Sequence, residues 1–161
     1  MKTLIMVRHG KSSWDYSVSD RDRPLQERGV NDALLVSSEF NSQAQNIAAV
    51  FSSPANRALH TCMIFSRQLN IPLSSVEIKD ELYDFSGESV FEFISNLDDS
   101  LDSVMIFGHN HAFTHVANSL GNTYIDNVST SGLVHLKFNV DNWSLVKKGI
   151  TEQTIFPKDL R

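Results

Sequence analysis

The chain opens its first apolar run with Leu4-Ile5-Met6-Val7 and follows it directly with Arg8-His9-Gly10. Four consecutive apolar residues indicate a strand that is covered on both faces, as in a parallel sheet. The abrupt change to a guanidinium, an imidazole and a glycine puts polar chemistry at the carboxyl end of that strand, where open α/β sheets bind their ligands. Residues 4–10 therefore predict both the kind of sheet and the edge that carries a site.

Two further apolar runs end in the same way. Residues 47–51 precede Ser52-Ser53-Pro54 and Arg57, and residues 104–107 precede Gly108-His109. If the three strands are parallel, their polar ends lie at one edge of the sheet. We therefore expect two arginines and two histidines to converge there.

Apolar residues at helical spacing follow each run. We expect a helix to begin at Pro24, a second to begin at Pro54 with Ser53 as its cap, a third over residues 88–97 and a fourth ending at Gly121. The first helix should bury the stripe Val30, Ala33, Leu34, Ser37 and Phe40.

The remaining strands complete the predicted architecture. Residues 76–78 indicate a short strand, and residues 134–138 alternate like a half-exposed strand, antiparallel to residues 143–147. Alternation of strands and helices predicts the α/β class, with three α/β/α layers around a mostly parallel central sheet. At 161 residues, the chain is expected to form a single domain over residues 1–161.

Composition excludes several classes of function. A net charge of −5 argues against nucleic-acid binding, which needs a basic face. Cys62 is the only cysteine, so neither a disulfide framework nor a cysteine-rich zinc site can form. The apolar run over residues 4–7 is too short for a secretion signal, and no run reaches the length of a membrane span. We expect a cytoplasmic protein without membrane partners.

The residue types at the expected sheet edge favour an anion. Arginine offers planar, permanently charged donors that match phosphate oxygens, and a helix start near Arg57 adds backbone N–H groups. A neutral imidazole can attack phosphorus and hold it covalently, which divides one difficult reaction into two steps. The pattern thus indicates phosphoryl chemistry.

The same residues carry a family resemblance. Arg8-His9-Gly10 resembles the signature of the histidine phosphatase superfamily, which includes the phosphoglycerate mutases, and residues 52–61 and Gly108-His109-Asn110 are similar to its second and third motifs. Asp22-Arg23-Pro24-Leu25 and Glu81-Leu82-Tyr83 fit the small SixA-type branch. The resemblance covers roughly the whole chain and implies a phosphoglycerate mutase-like fold.

The resemblance also implies roles. His9 would be the nucleophile and would become phosphohistidine, while Arg8, Arg57 and His109 would bind the phosphoryl oxygens without any metal or cofactor. A hydrogen bond to a backbone carbonyl would orient the His9 ring. As further substrate contacts we expect Lys11, Ser12, Asn110 and His111.

The general acid is less constrained. Glu81 lies in the segment that resembles the one carrying the family's acidic residue, and Asp84 and Glu88 remain alternatives. Larger family members insert a helical cap over the site, and this chain is too short for a large one. An open pocket would admit a side chain of a partner protein, so we expect a phosphohistidine-bearing signalling protein as substrate and a monomer or weak dimer as the active form.

Other interpretations remain open. A small phosphomonoester would use the same chemistry, a mutase would need a second basic cluster, and a non-catalytic phosphate-binding module would need only the arginines. Gly10-Lys11-Ser12 fails the P-loop pattern, because Ile5 occupies the position of its first glycine. His111 and His115 have the spacing of a zinc pair, but Ala112 replaces the glutamate of that motif.

Overall fold

Strand β1 (Lys2–Arg8) has a neighbouring strand on each side. The computed structural model describes residues 1–43 and 46–161. Leu4, Ile5, Met6 and Val7 are all 0% exposed, which is the two-sided burial that four consecutive apolar residues predict. Leu4 and Met6 pack into the core on one face of the sheet, and Ile5 and Val7 pack into the core on the other.

The remaining strands surround β1. They are β2 (Ala49–Ser52), β3 (Val76–Ile78), β4 (Ser103–Gly108), β5 (Leu133–Phe138) and β6 (Ile150–Ile155). Their spatial order is β3-β2-β4-β1-β5-β6. Strands β3, β2, β4 and β1 are parallel, and β5 pairs antiparallel with both β1 and β6. The prediction of a mostly parallel sheet is confirmed.

Helices cover both faces of the sheet. They are α1 (Glu27–Asn41), α2 (Asn56–Gln68), α3 (Glu88–Ser95) and α4 (Ala112–Leu120). Helices α1 and α2 contribute Phe40 and Phe65 to the core that holds Ile5, whereas α3 and α4 contribute Phe93 and Phe113 to the core that holds Leu4. This is the predicted three-layer arrangement, and residues 69–102 add only β3, two 3-10 turns and α3, with no large cap.

Two helix starts differ from the prediction. Helix α1 begins at Glu27 instead of Pro24, because the Pro24 carbonyl accepts a hydrogen bond from the Ser13 N–H across a short antiparallel bridge. Its buried face is rotated as well, with Leu34 41% exposed and Val36 fully buried. Helix α2 begins at Asn56, so Pro54 lies outside it.

The predicted hairpin is wrong in its second strand. The partner of β5 is Ile150–Ile155, and Trp143–Leu145 forms a 3-10 turn instead. The large Trp143 ring is stabilised by burial in the core, which an outer strand would not provide. The ring is fully buried, and its Nε1–H donates to the Leu101 carbonyl. Strand β5 is also buried instead of half-exposed, because both of its faces are covered: Leu136 packs into the core that holds Leu4, and His135 lies against Phe40 of α1 on the other face.

Candidate active site

Strands β1, β2 and β4 have their carboxyl ends at the same edge of the sheet. Arg8 pairs in register with Gly108 of β4, and Ser52 of β2 pairs with Phe107. The loops that follow these strands therefore meet. Beside them lies a pocket of about 360 Å³ whose lining includes Arg8, His9 and Arg57.

His9 is held in one orientation by its own loop. Its Nδ1 lies 2.7 Å from the Gly10 carbonyl oxygen. A carbonyl can only accept, so Nδ1 carries the proton and Nε2 keeps its lone pair. The ring is thus fixed as the tautomer whose Nε2 can act as a nucleophile.

The surroundings of His9 keep the ring neutral. Burial lowers the pKa of His9 to about 3, and the positive charges of Arg57, Arg8 and Arg23 add to that effect, although the hydrogen bond to Gly10 opposes it. A neutral imidazole is the nucleophilic form. The arginines that would bind an anion therefore also keep the nucleophile unprotonated.

His109 lies beside His9 and is fully buried. Its Nε2 lies 2.8 Å from the Ser53 Oγ, and that oxygen accepts a hydrogen bond from the Ala55 N–H. Burial lowers the pKa of His109 to about 3, with the neighbouring His9 and Arg57 as the next causes. Ser53, predicted to cap α2, instead orients this second imidazole.

Three buried nitrogen atoms of the site have no hydrogen-bond partner within residues 1–43 and 46–161. They are Arg8 Nε, Arg57 Nε and His109 Nδ1. Three other guanidinium nitrogens do have partners: Arg8 Nη1 donates to the Val128 carbonyl, and both Nη atoms of Arg57 contact Asp20. Buried polar groups are normally satisfied, so the unpaired Nε donors of Arg8 and Arg57, which both line the pocket, indicate a site built for an anion; His109 does not line it.

The loop that carries His9 is tied to two helices. The Gly10 N–H donates to the Thr61 hydroxyl, and that hydroxyl donates to the Arg57 carbonyl. On the other side, a Cβ on Gly10 would lie 2.9 Å from the Gly29 carbonyl oxygen of α1. The close approach of these two backbones requires glycine at position 10 and locks the loop between α1 and α2.

Of the four further contacts predicted, the structure brings two to the pocket. Lys11 and Ser12 line it. The Asn110 side chain instead forms hydrogen bonds with Asn127 and Thr114, which secures the start of α4. His111 is exposed at the residue before that helix and makes no capping hydrogen bond with its side chain. Neither lies among the residues that line the pocket.

The predicted acids lie elsewhere. Glu81 is exposed in a separate groove of about 540 Å³, whose lining includes Glu77 and Glu92. Both Asp84 oxygens accept backbone N–H bonds at the start of α3, and although burial alone would raise its pKa, these bonds from Ser86, Val90 and Gly87 lower it. Glu88 is an exposed residue of the first turn of α3. None of the three lines the pocket of His9.

One acid that no sequence motif indicates does line the pocket. Asp20 contacts Arg57, and Tyr83 donates its hydroxyl proton to the Asp20 carboxylate. Burial alone would raise the pKa of Asp20, but hydrogen bonds from Tyr83 and Arg57 outweigh it and lower the pKa to about 2. Asp20 stands in a segment rich in Ser and Asp, where nothing in the sequence distinguishes it from its neighbours.

The rim of the pocket holds side chains whose roles the sequence left undecided. Arg23 lines the pocket, and its guanidinium carbon lies 3.2 Å from the centre of the Trp14 ring. Trp14 is 76% exposed and Phe85, also at the pocket, is 46% exposed. Arg23 belongs to the motif that carried the family resemblance, which was the available signal for it.

The proposed zinc pair has other contacts. The His115 Nδ1–H donates to the Ser86 carbonyl at 3.0 Å, away from His111 at the helix cap. In the part of the chain that the structure describes, no three His, Cys, Asp or Glu side chains are grouped as metal ligands would be. The helices of these same residues include none with the length and apolar character to cross a bilayer.

Comparison with known sequences identifies relatives. The sequence model of the histidine phosphatase superfamily (branch 1) matches residues 4–90. An uncharacterised protein of Mycobacterium tuberculosis strain H37Rv is 29% identical over 103 residues, which cover 64% of this chain and 62% of that protein. An uncharacterised chloroplastic protein of Arabidopsis thaliana is 28% identical over 133 residues, covering 77% of this chain and 61% of the relative. The matches thus span about three fifths of these relatives.

Solved structures share the fold. The protein histidine phosphatase SixA, complexed with tungstate, superimposes with a TM-score of 0.83 at 24% identity and 99% coverage of both chains. A mycobacterial glucosyl-3-phosphoglycerate phosphatase superimposes with a TM-score of 0.64 at 13% identity, covering 97% of this chain and 98% of the other. At these identities the likeness concerns the fold.

Proposed function

Because this chain belongs to the histidine phosphatase superfamily, we propose that it is a phosphatase that works through a covalent phosphohistidine at His9. One observation carries the proposal. The Gly10 carbonyl fixes the proton on Nδ1 of His9, so Nε2 presents a lone pair at a pocket lined by Arg8 and Arg57, whose buried Nε donors have no partner among the described residues.

In the first chemical step, the lone pair of His9 Nε2 forms a bond to phosphorus. The bond from phosphorus to the leaving atom breaks, and its electron pair stays on that atom. Arg8, Arg57 and the Nδ1–H of His109 stabilise the negative charge on the phosphoryl oxygens. For His109 this requires that the Ser53 hydroxyl donate to Nε2, which the 2.8 Å contact allows.

In the second step, water attacks the phosphohistidine. The phosphorus–nitrogen bond breaks, its electron pair returns to His9 Nε2, and the water protons pass to phosphate and solvent. The Gly10 carbonyl holds the Nδ1 proton throughout, so the ring returns to its starting tautomer. Neither step draws on a metal ion or a cofactor.

As substrate we propose phosphohistidine on a partner protein. Glu81, Asp84 and Glu88 lie outside the pocket, and the lowered pKa of Asp20 keeps its carboxyl ionised, so it has no proton to give. A leaving group that needs little protonation fits such a site, and the phosphoramidate bond is weak. Exposed Trp14 and Phe85 at an uncapped rim suit contact with a protein surface. Action as a cytoplasmic monomer or weak dimer stays a prediction.

The test is dephosphorylation of a phosphohistidine-bearing domain with EDTA present. We expect turnover that EDTA does not reduce and that His9→Ala abolishes. Absence of turnover on that domain, together with fast hydrolysis of a small phosphate ester, would refute the proposed substrate. Loss of turnover with EDTA would contradict metal independence.

A small phosphomonoester is the second candidate. The observation in its favour is the glucosyl-3-phosphoglycerate phosphatase that shares this fold, since the fold accommodates such a substrate in that protein. Lys11 at the rim is a further positive group for an anionic metabolite. A panel of sugar phosphates and phosphoglycerate derivatives, compared with the phosphohistidine domain by kcat/KM, separates the two candidates.

A further inference from the structure

Two oxygen atoms of Asp20 accept hydrogen bonds from the guanidinium of Arg57. Arg57 Nη1 donates to the Asp20 carbonyl oxygen at 2.6 Å, and Nη2 donates to the Asp20 Oδ2 at 2.9 Å. Arg57 is 2% exposed, whereas the Asp20 side chain is 41% exposed, so Asp20 contacts the buried guanidinium from the solvent side. A charge-assisted pair with two contacts fixes both the position and the plane of a guanidinium.

The two contacts occupy one particular edge of that guanidinium. Nη1 and Nη2 form its end, whereas Nε and Nη2 form the side edge that can hold two phosphoryl oxygens at once. Arg57 Nε is buried and has no partner within the described residues. Asp20 therefore binds the Nη1–Nη2 end of the guanidinium and leaves its Nε side edge available to an anion.

Asp20 is itself held by its neighbours. The Tyr83 hydroxyl donates to Oδ2, and Arg23 Nη1 lies 3.3 Å from Oδ1. The Tyr83 ring packs edge-on against His109, with 5.3 Å between ring centres. The Asp20 carboxylate thus links Arg57 to the elements around the second imidazole.

We infer that Asp20 is a positioning residue, which holds Arg57 so that its Nε edge faces the phosphoryl group. The consequence for turnover rests on the proposed function; the consequence for anion binding does not. The competing explanation is that Asp20 acts as a plain negative charge that keeps anions out. In that case its geometry has no importance and only its charge counts.

Two substitutions separate these explanations. Asp20→Asn removes the charge but keeps an oxygen that can accept from Arg57 Nη2, and Asp20→Ala removes both. The matched control is Asp22→Ala, in the same 3-10 turn, whose carboxylate accepts from the Ser19 hydroxyl. Thermal unfolding of each variant verifies that it is folded.

The experiment measures binding of inorganic phosphate by calorimetry. We expect Asp20→Ala to bind about tenfold or more weakly than Asp20→Asn, because both keep the contact to the backbone carbonyl but only the latter keeps the second contact, to Nη2, that fixes the plane of the guanidinium. We also expect Asp22→Ala to bind as the unchanged protein does. Equal binding by the Asn and Ala variants, or tighter binding by Ala than by Asn, would overturn the inference.

Turnover of a small phosphate ester adds a kinetic readout. We expect Asp20→Ala to raise KM and lower kcat together and Asp20→Asn to recover most of kcat, which a general loss of stability would not produce. If the unchanged protein binds phosphate but turns over no substrate, the proposed function fails while the comparison of Asn with Ala still decides the role of Asp20.

Discussion

The imidazole rings of His9 and His109 lie 5.2 Å apart between centres, inclined at 55°. Burial lowers the pKa of both rings to about 3, and the charge of either one would further disfavour protonation of the other. Two neutral imidazoles side by side serve complementary purposes, since one offers a lone pair and the other an N–H. Because the folded protein holds both rings neutral, its free energy of unfolding depends on pH in the acidic range.

We expect the free energy of unfolding to decrease as the pH is lowered from about 6.5 towards 4. Near pH 6.5 the unfolded chain begins to protonate His9 and His109, whereas the folded chain leaves both neutral until about pH 3, so the unfolded state binds more protons in this window. Each histidine contributes up to about 1.4 kcal/mol per pH unit. His135, whose pKa is lowered by burial, acts in the same direction.

Urea unfolding across this pH range provides the measurement. His109→Gln should show a shallower loss of stability than the unchanged protein, and His111→Gln, an exposed control on the neighbouring helix cap, should follow the unchanged protein. Identical slopes for His109→Gln and the unchanged protein would show that the ring is not held neutral.

Replacing His9 with Ala should remove the covalent intermediate. We expect turnover to fall on the order of 10⁴-fold or more, because no other group at the pocket presents a neutral nitrogen lone pair in the same position. Reaction with a labelled phosphate donor, followed by acid or base treatment, tests this. The unchanged protein should give an adduct that acid destroys and base preserves, and His111→Ala should give the same.

An adduct that persists in His9→Ala would assign the nucleophile to another residue. A protein that binds phosphate equally well with His9 and with Ala, and forms no adduct in either case, would be a binding module instead of an enzyme.

Ser53→Ala should lower kcat about tenfold. The Ser53 hydroxyl is the hydrogen-bond partner of His109 Nε2, and its loss leaves Nε2 of a fully buried ring unpaired. Steady-state kinetics with a small phosphate ester measures the effect. Ser52→Ala is the matched control, because the Ser52 hydroxyl is also buried but donates to the Ser53 carbonyl. Equal loss in both variants would indicate a general disturbance of this loop.

Glu81→Gln should keep kcat within about twofold of the unchanged protein. Glu81 is exposed in the groove beside Glu77 and does not line the pocket of His9, so it has no position from which to protonate a leaving group. Glu77→Gln, in the same groove, is the control. A loss of a hundredfold or more in Glu81→Gln alone would restore the role that its sequence motif suggested.

The sequence was a good guide to features that depend on local patterns. Apolar runs such as Leu4 to Val7 identified the buried parallel strands, and the polar residues after them identified the edge that holds Arg8, His9, Arg57 and His109. Each of these inferences needs only the alternation of elements and the direction of parallel strands. The fold class followed for the same reason.

Features that depend on distant contacts were out of reach. The local pattern around Trp143 predicts a strand, yet its ring is buried in the core. The strand lies further along the chain, at Ile150–Ile155. Asp20 is one of several acidic residues in a polar loop. It lies 37 positions before Arg57 in the sequence, and only the folded chain brings the two into contact. Glu81 matched a motif, but the 3-10 turn over Asp80–Leu82 directs it into another groove.

The backbone contact between Gly10 and Gly29 has a consequence for how this protein can change. No side chain separates the loop that carries His9 from the first turn of α1, so no side chain can change rotamer to accommodate a movement of that helix. A displacement of α1 is therefore transmitted to the imidazole of His9. Variation that alters specificity is therefore expected to accumulate among the exposed side chains of the pocket rim, Trp14 and Phe85, which can be exchanged without a change at the Gly10–Gly29 contact.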